Sequence, residues 1–392
     1  MYWETKADTH NTLVANSMPR NRFEQIHRFL HFNDNTKIDK NDKLYKIRPL
    51  TDHINKLSTD CIQPLGKYFS MDEAMEPYYG RHSLKQFIWG RPIRFGFKFW
   101  CLTTSNGYLI KFDTYAGAGD KIEGKTLGSS VTEKLCVNFI PKDSVVFVDN
   151  YFNSLPLLET FTNNNINCVG TIRSDRIEKA PLPELKKEKR GTHPTLHEDK
   201  TNITLTRWHD NSQVTLATNS KDENIYKTRG VCKGWSKQER ASVTVEQPSV
   251  VNFYNKGMGG VDHFDQIRGL YRSRIRSKQW YWPIFRFCLN GAVVNMWFLY
   301  RYVDPDIGLV DFIRRIVLAI LSSPPLGPNT GPKSKSNSKV PGEIRYDNKD
   351  HWIDKNETQR RCAKCGKCSK FVCLKCNVGL HPDGCFRQYH TK

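Results

Sequence analysis

The chain runs to 392 residues, more than one compact core usually absorbs, so two or more domains are favoured. Its 38% apolar and 12% aromatic content excludes a wholly disordered protein, while the lack of any run of about 18 apolar residues or of a greasy leader predicts a soluble, intracellular protein without a membrane partner. Lys and Arg number 60 against 40 Asp and Glu, a net +20 that concentrates phosphate polyanions and sets nucleic acid ahead of a merely solvated basic surface.

In chain order, Ser17-Met18-Pro19 ahead of Phe23, Ile26, Phe29 and Leu30 predicts an amphipathic helix behind a serine N-cap. Ile54, Leu57 and Ile62 predict another, making residues 1–65 a small helical unit. Tyr68 to Asp72 reads as a strand ending on a carboxylate. Phe95 to Thr104 and Tyr108 to Thr114 read as a hairpin about Asn106-Gly107. A helix near Val131 to Val137 leads to a short strand from Ser144 that again ends on an acid, Asp149. Ser154-Leu155-Pro156 then opens a helix and Cys168 to Ile172 forms one more strand. The order β-β-β-α-β-α-β predicts a mixed α/β core over residues 66–175.

Residues 176–247 interrupt that layout with the charged run Lys186, Lys187, Lys189 and Arg190 and with short alternating strands such as Val214 to Ala217, the pattern of a β-rich insertion. The core resumes at 248–269, where a glycine-rich turn from Gly257 to Gly260 enters a helix carrying Asp262 and Asp265. A long apolar helix from Trp280 to Tyr302 dominates residues 270–322. A Pro, Gly, Ser and Lys rich linker over 323–345 tethers a cysteine-rich end at 346–392.

Asp72, Asp149, Asp262 and Asp265 give four carboxylates that a compact sheet could bring together. Oxygen-only ligands select hard cations such as Mg²⁺ or Mn²⁺. A pair of these can activate water or a 3′-hydroxyl on one side of a phosphorus and stabilise the leaving oxygen on the other. Any one Asp at a strand end is more often a turn or helix cap; joint occurrence in a basic chain carries the expectation. Trp280, Trp282 and Arg286 could stack on bases or clamp phosphates, although aromatic residues at helical spacing usually belong to a core.

Cys61, Cys101, Cys136, Cys168, Cys232 and Cys288 are scattered among apolar neighbours, as buried reduced thiols would be. The other six crowd between Cys362 and Cys385. His351, Cys362, Cys365, Cys373, Cys376, His381, Cys385 and His390 supply eight donors, the number that two closed tetrahedral Zn²⁺ sites consume. Cys368 is then one too many, and Cys365-x2-Cys368 could be used instead. With few flanking apolar residues, this end needs metal to fold. Residues 331–392 carry 14 basic against 6 acidic side chains, a net +8 that favours DNA; bound thiolates cancel part of it, so a protein-binding finger that reads chromatin stays open.

Across nearly its whole length the chain resembles the piggyBac transposase family, in particular its domesticated derivatives. The resemblance lies in Met18 to His31 (MPRNRFEQIHRFLH), Ser70 to Met75 (SMDEAM), Val146 to Phe152 (VFVDNYF), Val169 to Arg173 (VGTIR), Tyr254 to Gln266 (YNKGMGGVDHFDQ) and the terminal Cys/His array. It implies an RNase H-like catalytic core with an inserted domain, helical dimerisation and DNA-binding segments on both sides, and a C-terminal cross-brace zinc finger that recognises transposon ends. It further implies a DDE/D-type transposase whose acidic set is Asp72, Asp149, Asp262 and Asp265, with Arg173 toward DNA; Arg176 and Trp282 join Arg173 as DNA-binding candidates. The implied activity is nuclear and homodimeric: element ends are nicked, converted to hairpins and joined to target DNA at TTAA. The family normally has further sequence ahead of Tyr2-Trp3, so the helical segment 1–65 is expected to be N-terminally truncated. His381 stands where many relatives have cysteine. The alternative is a catalytically inactive, domesticated DNA- or chromatin-binding protein with a zinc-finger interaction module.

Overall fold

The computed structural model describes the chain except residues 1, 5, 7, 63–65, 91, 118–120, 178, 223–224, 226–228, 237–238, 274, 324–339 and 392. Most of the expected linker therefore lies outside the described residues. The chain divides into two compact units, residues 27–317 and residues 1–26 with 318–392.

The larger unit is built on a nine-stranded sheet. Its central strands are β1 (Tyr68–Pro77), β3 (Phe95–Thr104), β4 (Leu109–Thr114), β5 (Val145–Val148) and β6 (Asn167–Thr171), arranged in space as β4-β3-β1-β5-β6. β3 and β4 run antiparallel to their neighbours, whereas β1, β5 and β6 are mutually parallel, each parallel step being made by a crossover that contains a helix. Short β2 (Gln86–Phe87) pairs with the start of β3. Gly107 takes φ +100° in the β3–β4 turn, and its N–H donates to Thr104 O at 2.9 Å. That is the glycine-dependent turn predicted from Asn-Gly.

Both faces of the sheet are covered. On one, α4 (Leu127–Cys136) and α5 (Leu155–Asn163) bury Phe69, Met71, Trp100, Leu102, Val146 and Val148. Ser154 caps α5 by accepting the Leu157 N–H, as expected. On the other face, α3 (Arg48–Asp60), α6 (Ser249–Gly257), α7 (Gly260–Leu270) and α8 (Trp282–Tyr300) pack over Ala74, Phe97, Phe99, Cys101 and Phe147. Strand alternation produces this split: Ser70, Asp72, Ala74 and Glu76 of β1 face α7, and Phe69, Met71 and Met75 face away.

The structure revises several local expectations. Ser17 is not an N-cap; it ends α1 (Thr12–Ser17), and its hydroxyl donates to Leu13 O, while α2 (Arg20–Phe29) begins from the Pro19 carbonyl. β1 does not stop at Asp72, because its antiparallel pairing with β3 continues to Pro77. The stretch 176–247 is not separate from the core sheet: β7 (Thr195–Glu198), β8 (Ile203–His209) and β9 (Gln213–Thr218) extend it, β9 pairing with β6, and only β10 (Arg229–Ser236) and β11 (Ala241–Pro248) form a sheet of their own. Cys101, Cys136, Cys168 and Cys288 are buried as expected, but Cys61 is exposed and Cys232 half-buried.

In the smaller unit, α9 (Leu309–Ser322) enters from the larger one, and α10 (Gly342–Arg345) precedes a three-stranded sheet of β12 (Ile353–Arg361), β13 (Cys368–Cys373) and β14 (Val378–Gly379), closed by α11 (Cys385–His390). Cys362, Cys373, Cys376, Leu380 and Tyr389 make up its small core.

Candidate active site and candidate metal centres

The parallel register of β1 and β5 brings two of the acids together. Met71 is opposite Val148, so the next residues, Asp72 and Asp149, lie side by side where β5 ends, and they point to the α6–α7 face. Asp72 Oδ1 accepts the Glu73 N–H at 2.7 Å, and Asp149 Oδ1 accepts the Tyr151 N–H at 2.7 Å.

The third acid is delivered by glycine. A Cβ on Gly257 would lie 2.2 Å from the Phe147 ring, and one on Gly260 would lie 2.4 Å from Thr104 O. Only a chain without side chains at these points can lay the α6–α7 turn so close to the sheet. Ser70 Oγ locks the turn by donating to Met258 O at 2.6 Å. Asp262 sits in the first turn of α7.

The electrostatics record this convergence. The Asp72 carboxyl is pushed up to about 7, mainly by burial and further by the charges of Asp149, Glu73 and Asp262. Burial likewise raises Asp149, with Glu73 adding to it and Arg173 opposing. Tyr254 of α6, hydrogen-bonded to Thr171, is pushed up to about 12 by burial, with Asp149 and Asp72 contributing. Carboxylates crowded in this way favour a cation. Even so, among the described residues no three of the aspartates come within 4.8 Å of one another, as a preassembled ligand set would.

The fourth acid is engaged elsewhere. Asp265 Oδ1 accepts from both Nε and a terminal nitrogen of Arg268. Arg173 is exposed beside Asp149, its Nε 3.4 Å from Asn150 Oδ1. Arg176 donates from one nitrogen to the carbonyls of Asn150, Tyr151 and Asn153 at 2.8–3.0 Å, so it fastens the turn after β5 and offers little to a phosphate. The base-stacking expectation for Trp282 is corrected: it is 5% exposed, and its indole N–H donates to Ile275 O at 2.9 Å. Trp280 stacks on His82 at 4.1 Å, and Arg286 donates to Glu76, so neither is free to clamp DNA. Sequence reasoning passed over Glu73, Glu76, Tyr254 and Arg268. Glu73 and Glu76 follow Asp72 on β1, one and four residues on, but only the register shows which face each takes.

Two further sets of four donors stand together in the smaller unit: His351, Cys373, Cys376 and His390, and Cys362, Cys365, His381 and Cys385, all atoms of each within 4.8 Å. The eight anticipated residues are the eight found, and their pairing along the chain interleaves. Sγ···N separations are 3.4–3.5 Å for Cys365 with His381, for Cys373 and Cys376 with His351, and for Cys376 with His390. A tetrahedron with arms of about 2.3 Å to sulfur and about 2.0 Å to nitrogen has an S···N edge of roughly 3.5 Å, so the donors fit zinc. The remaining ring nitrogen of each histidine is also held: His351 by Asp347 at 3.0 Å, His390 by Phe386 O at 2.9 Å and His381 by Cys368 O at 3.1 Å. Cys368 thus belongs to neither set and contributes its carbonyl. Burial and neighbouring thiols push Cys376 up to about 12 and Cys385 up to about 11, a crowding that a cation relieves.

Residues 1–297 match the protein family described as Transposase IS4. PiggyBac transposable element-derived protein 3 of Homo sapiens is 39% identical over 404 residues that cover 100% of this chain and 66% of that protein. The chain belongs to the piggyBac transposase family. The Homo sapiens piggyBac transposable element-derived protein 2 is 33% identical over 100% of this chain and 67% of its own length, so the chain spans about two thirds of these relatives. A solved piggyBac transposase synaptic complex with hairpin DNA superposes with a TM-score of 0.66 over 95% of this chain and 81% of that one, at 20% identity, which shows a shared fold. Among the described residues no helix is long and apolar enough to cross a membrane.

Proposed function

We propose that this chain carries a metal-dependent DNA cleavage and strand-transfer site of the piggyBac type, set on an RNase H-like core. The observation that carries the reading is the β1–β5 register, which seats Asp72 beside Asp149 beneath the helix that bears Asp262. Asp72, Asp149 and Asp262 would hold the divalent cations, Mg²⁺ or Mn²⁺, with Asp265 one helical turn further on. Bound there, such ions supply charge stabilisation for an in-line displacement at phosphorus.

The protein's own contributions follow from its geometry. β1 and β5 fix the first two carboxylates rigidly, and exposed Arg173 offers a guanidinium to a phosphate beside Asp149. Hydrolysis at an element end leaves a 3′-hydroxyl; attack of that hydroxyl on the opposite strand closes a hairpin and releases the flanking strand by its own 3′-oxygen. A second hydrolysis opens the hairpin and regenerates the 3′-hydroxyl of the element, and that hydroxyl attacks a target phosphodiester at TTAA, where the displaced 3′-oxygen of the target strand leaves. The partner is double-stranded DNA, the acting form a homodimer and the compartment the nucleus, with the interleaved donor sets forming a cross-brace finger around two Zn²⁺. The family membership and the net +20 support a DNA substrate. A labelled transposon end incubated with the protein and Mg²⁺ should yield hairpin product, and Asp149→Ala should abolish it; equal hairpin yield from the variant overturns the assignment.

A further inference from the structure

Asp262 and Asp265 sit on the same helix, three residues apart, yet their surroundings differ in kind. Asp262 is exposed in the first turn of α7, its charge raising the Asp72 carboxyl, whereas Asp265 meets a buried arginine. Arg268 is 3% exposed and donates four hydrogen bonds: two to Asp265 Oδ1, one to Glu76 Oε2 and one to Met75 O at 3.0 Å. Its guanidinium also lies over the Phe287 ring, 4.7 Å from the centroid. Glu76 is fully buried, and its other oxygen accepts from Arg286 of α8 at 2.7 Å.

The four side chains form a neutral network of two acids and two bases linking β1, α7 and α8. Taking Asp265 away to a metal would leave Arg268 charged, buried and short of a partner, a costly state in a low-dielectric interior. β1 adds the second half of the argument. Glu76 lies on the same face as Asp72, four residues along one rigid strand, so the Arg268 bridge ties α7 to the very strand that carries Asp72.

We infer that Asp265 is a positioning residue and not a metal ligand: through Arg268 and Glu76 it clamps α7 onto β1 and so sets Asp262 against Asp72 and Asp149. This rests on the metal-site reading above and narrows its ligand set to three aspartates.

Asparagine separates the two roles, because its Oδ1 still accepts from Arg268 but brings no negative charge to a cation. Mn²⁺ binding to the full chain, followed by titration calorimetry and by the loss of the free-ion paramagnetic signal, should fall roughly tenfold or more in Asp72→Asn and Asp262→Asn and stay within about threefold in Asp265→Asn. Arg268→Met should weaken Mn²⁺ binding without touching the ion, and Arg268→Lys should recover part of the loss. Urea unfolding of Asp265→Leu, Arg268→Met and the double variant should show strong coupling between the two sites. An Asp265→Asn loss as large as that of Asp262→Asn overturns the inference, as does a cycle without coupling. If Asp72→Asn and Asp262→Asn bind Mn²⁺ as the wild type does, it is the metal site that fails, and the unfolding cycle still judges the clamp.

Discussion

At the scale of single residues, Asp72 shows how a site is made by removing alternatives. Buried among like charges, its carboxyl rises to about 7 from an ordinary 3.8. A value raised in the folded state means that protonated Asp72 favours the fold: the contribution is complete below the ordinary value and is lost as pH climbs through about 7. Without added divalent cation, urea unfolding should therefore show the wild type losing stability relative to Asp72→Asn from about pH 4 to about pH 7 and levelling off above that. Mg²⁺ should restore the wild type at the upper end and leave Asp72→Asn unmoved; parallel pH profiles for the two proteins would contradict this. The acids were legible in the sequence only as a set: one Asp at a strand end is more often a turn or helix cap, and it was their joint occurrence in a basic chain that singled them out. The engagement of Arg176 with three carbonyls was not legible, since the turn that it fastens is defined only once β5 and β6 lie in register.

At the scale of elements, the glycine-rich turn between α6 and α7 decides whether the third acid arrives. Gly260→Ala places a methyl against Thr104 O and Thr103 Oγ1, at 2.4 and 2.6 Å, and a strand backbone cannot yield as a side-chain end can. The expected cost is about 1–3 kcal/mol of stability, by analogy with overpacked cores. Thermal unfolding checks that figure, and hairpin formation should fall further than stability alone explains because α7 carries Asp262. A Gly260→Ala variant with unchanged melting temperature and activity would show that the close approach is not needed. Periodicity found β3 at its full extent, but it stopped β1 at Asp72, five residues short of Pro77. It set 176–247 apart from the core because charge and composition change there, yet composition says nothing about pairing, and three of those strands complete the sheet.

At the scale of the whole molecule, two kinds of candidate metal donor sit in one chain, carboxylates in the larger unit and sulfur and imidazole in the smaller. Their removal should be separable. A zinc-selective chelator should make residues 340–391 sensitive to limited proteolysis, since the core of that sheet is five side chains of which three, Cys362, Cys373 and Cys376, are themselves donors, while residues 68–218 stay resistant. Protection that survives chelation would mean that the donors do not hold the fold. The sequence by itself singled out the donor types, the eight Cys and His that group into two sets and the acidic candidates, because chemistry is written in residue identity and local spacing. The tertiary structure alone decided the pairing of donors, the adjacency of Asp72 and Asp149, the burial of Trp282 and the capture of Asp265 by Arg268. Each of these depends on strand register or helix packing between segments distant in the chain, and no local pattern encodes the distance at which such segments finally meet.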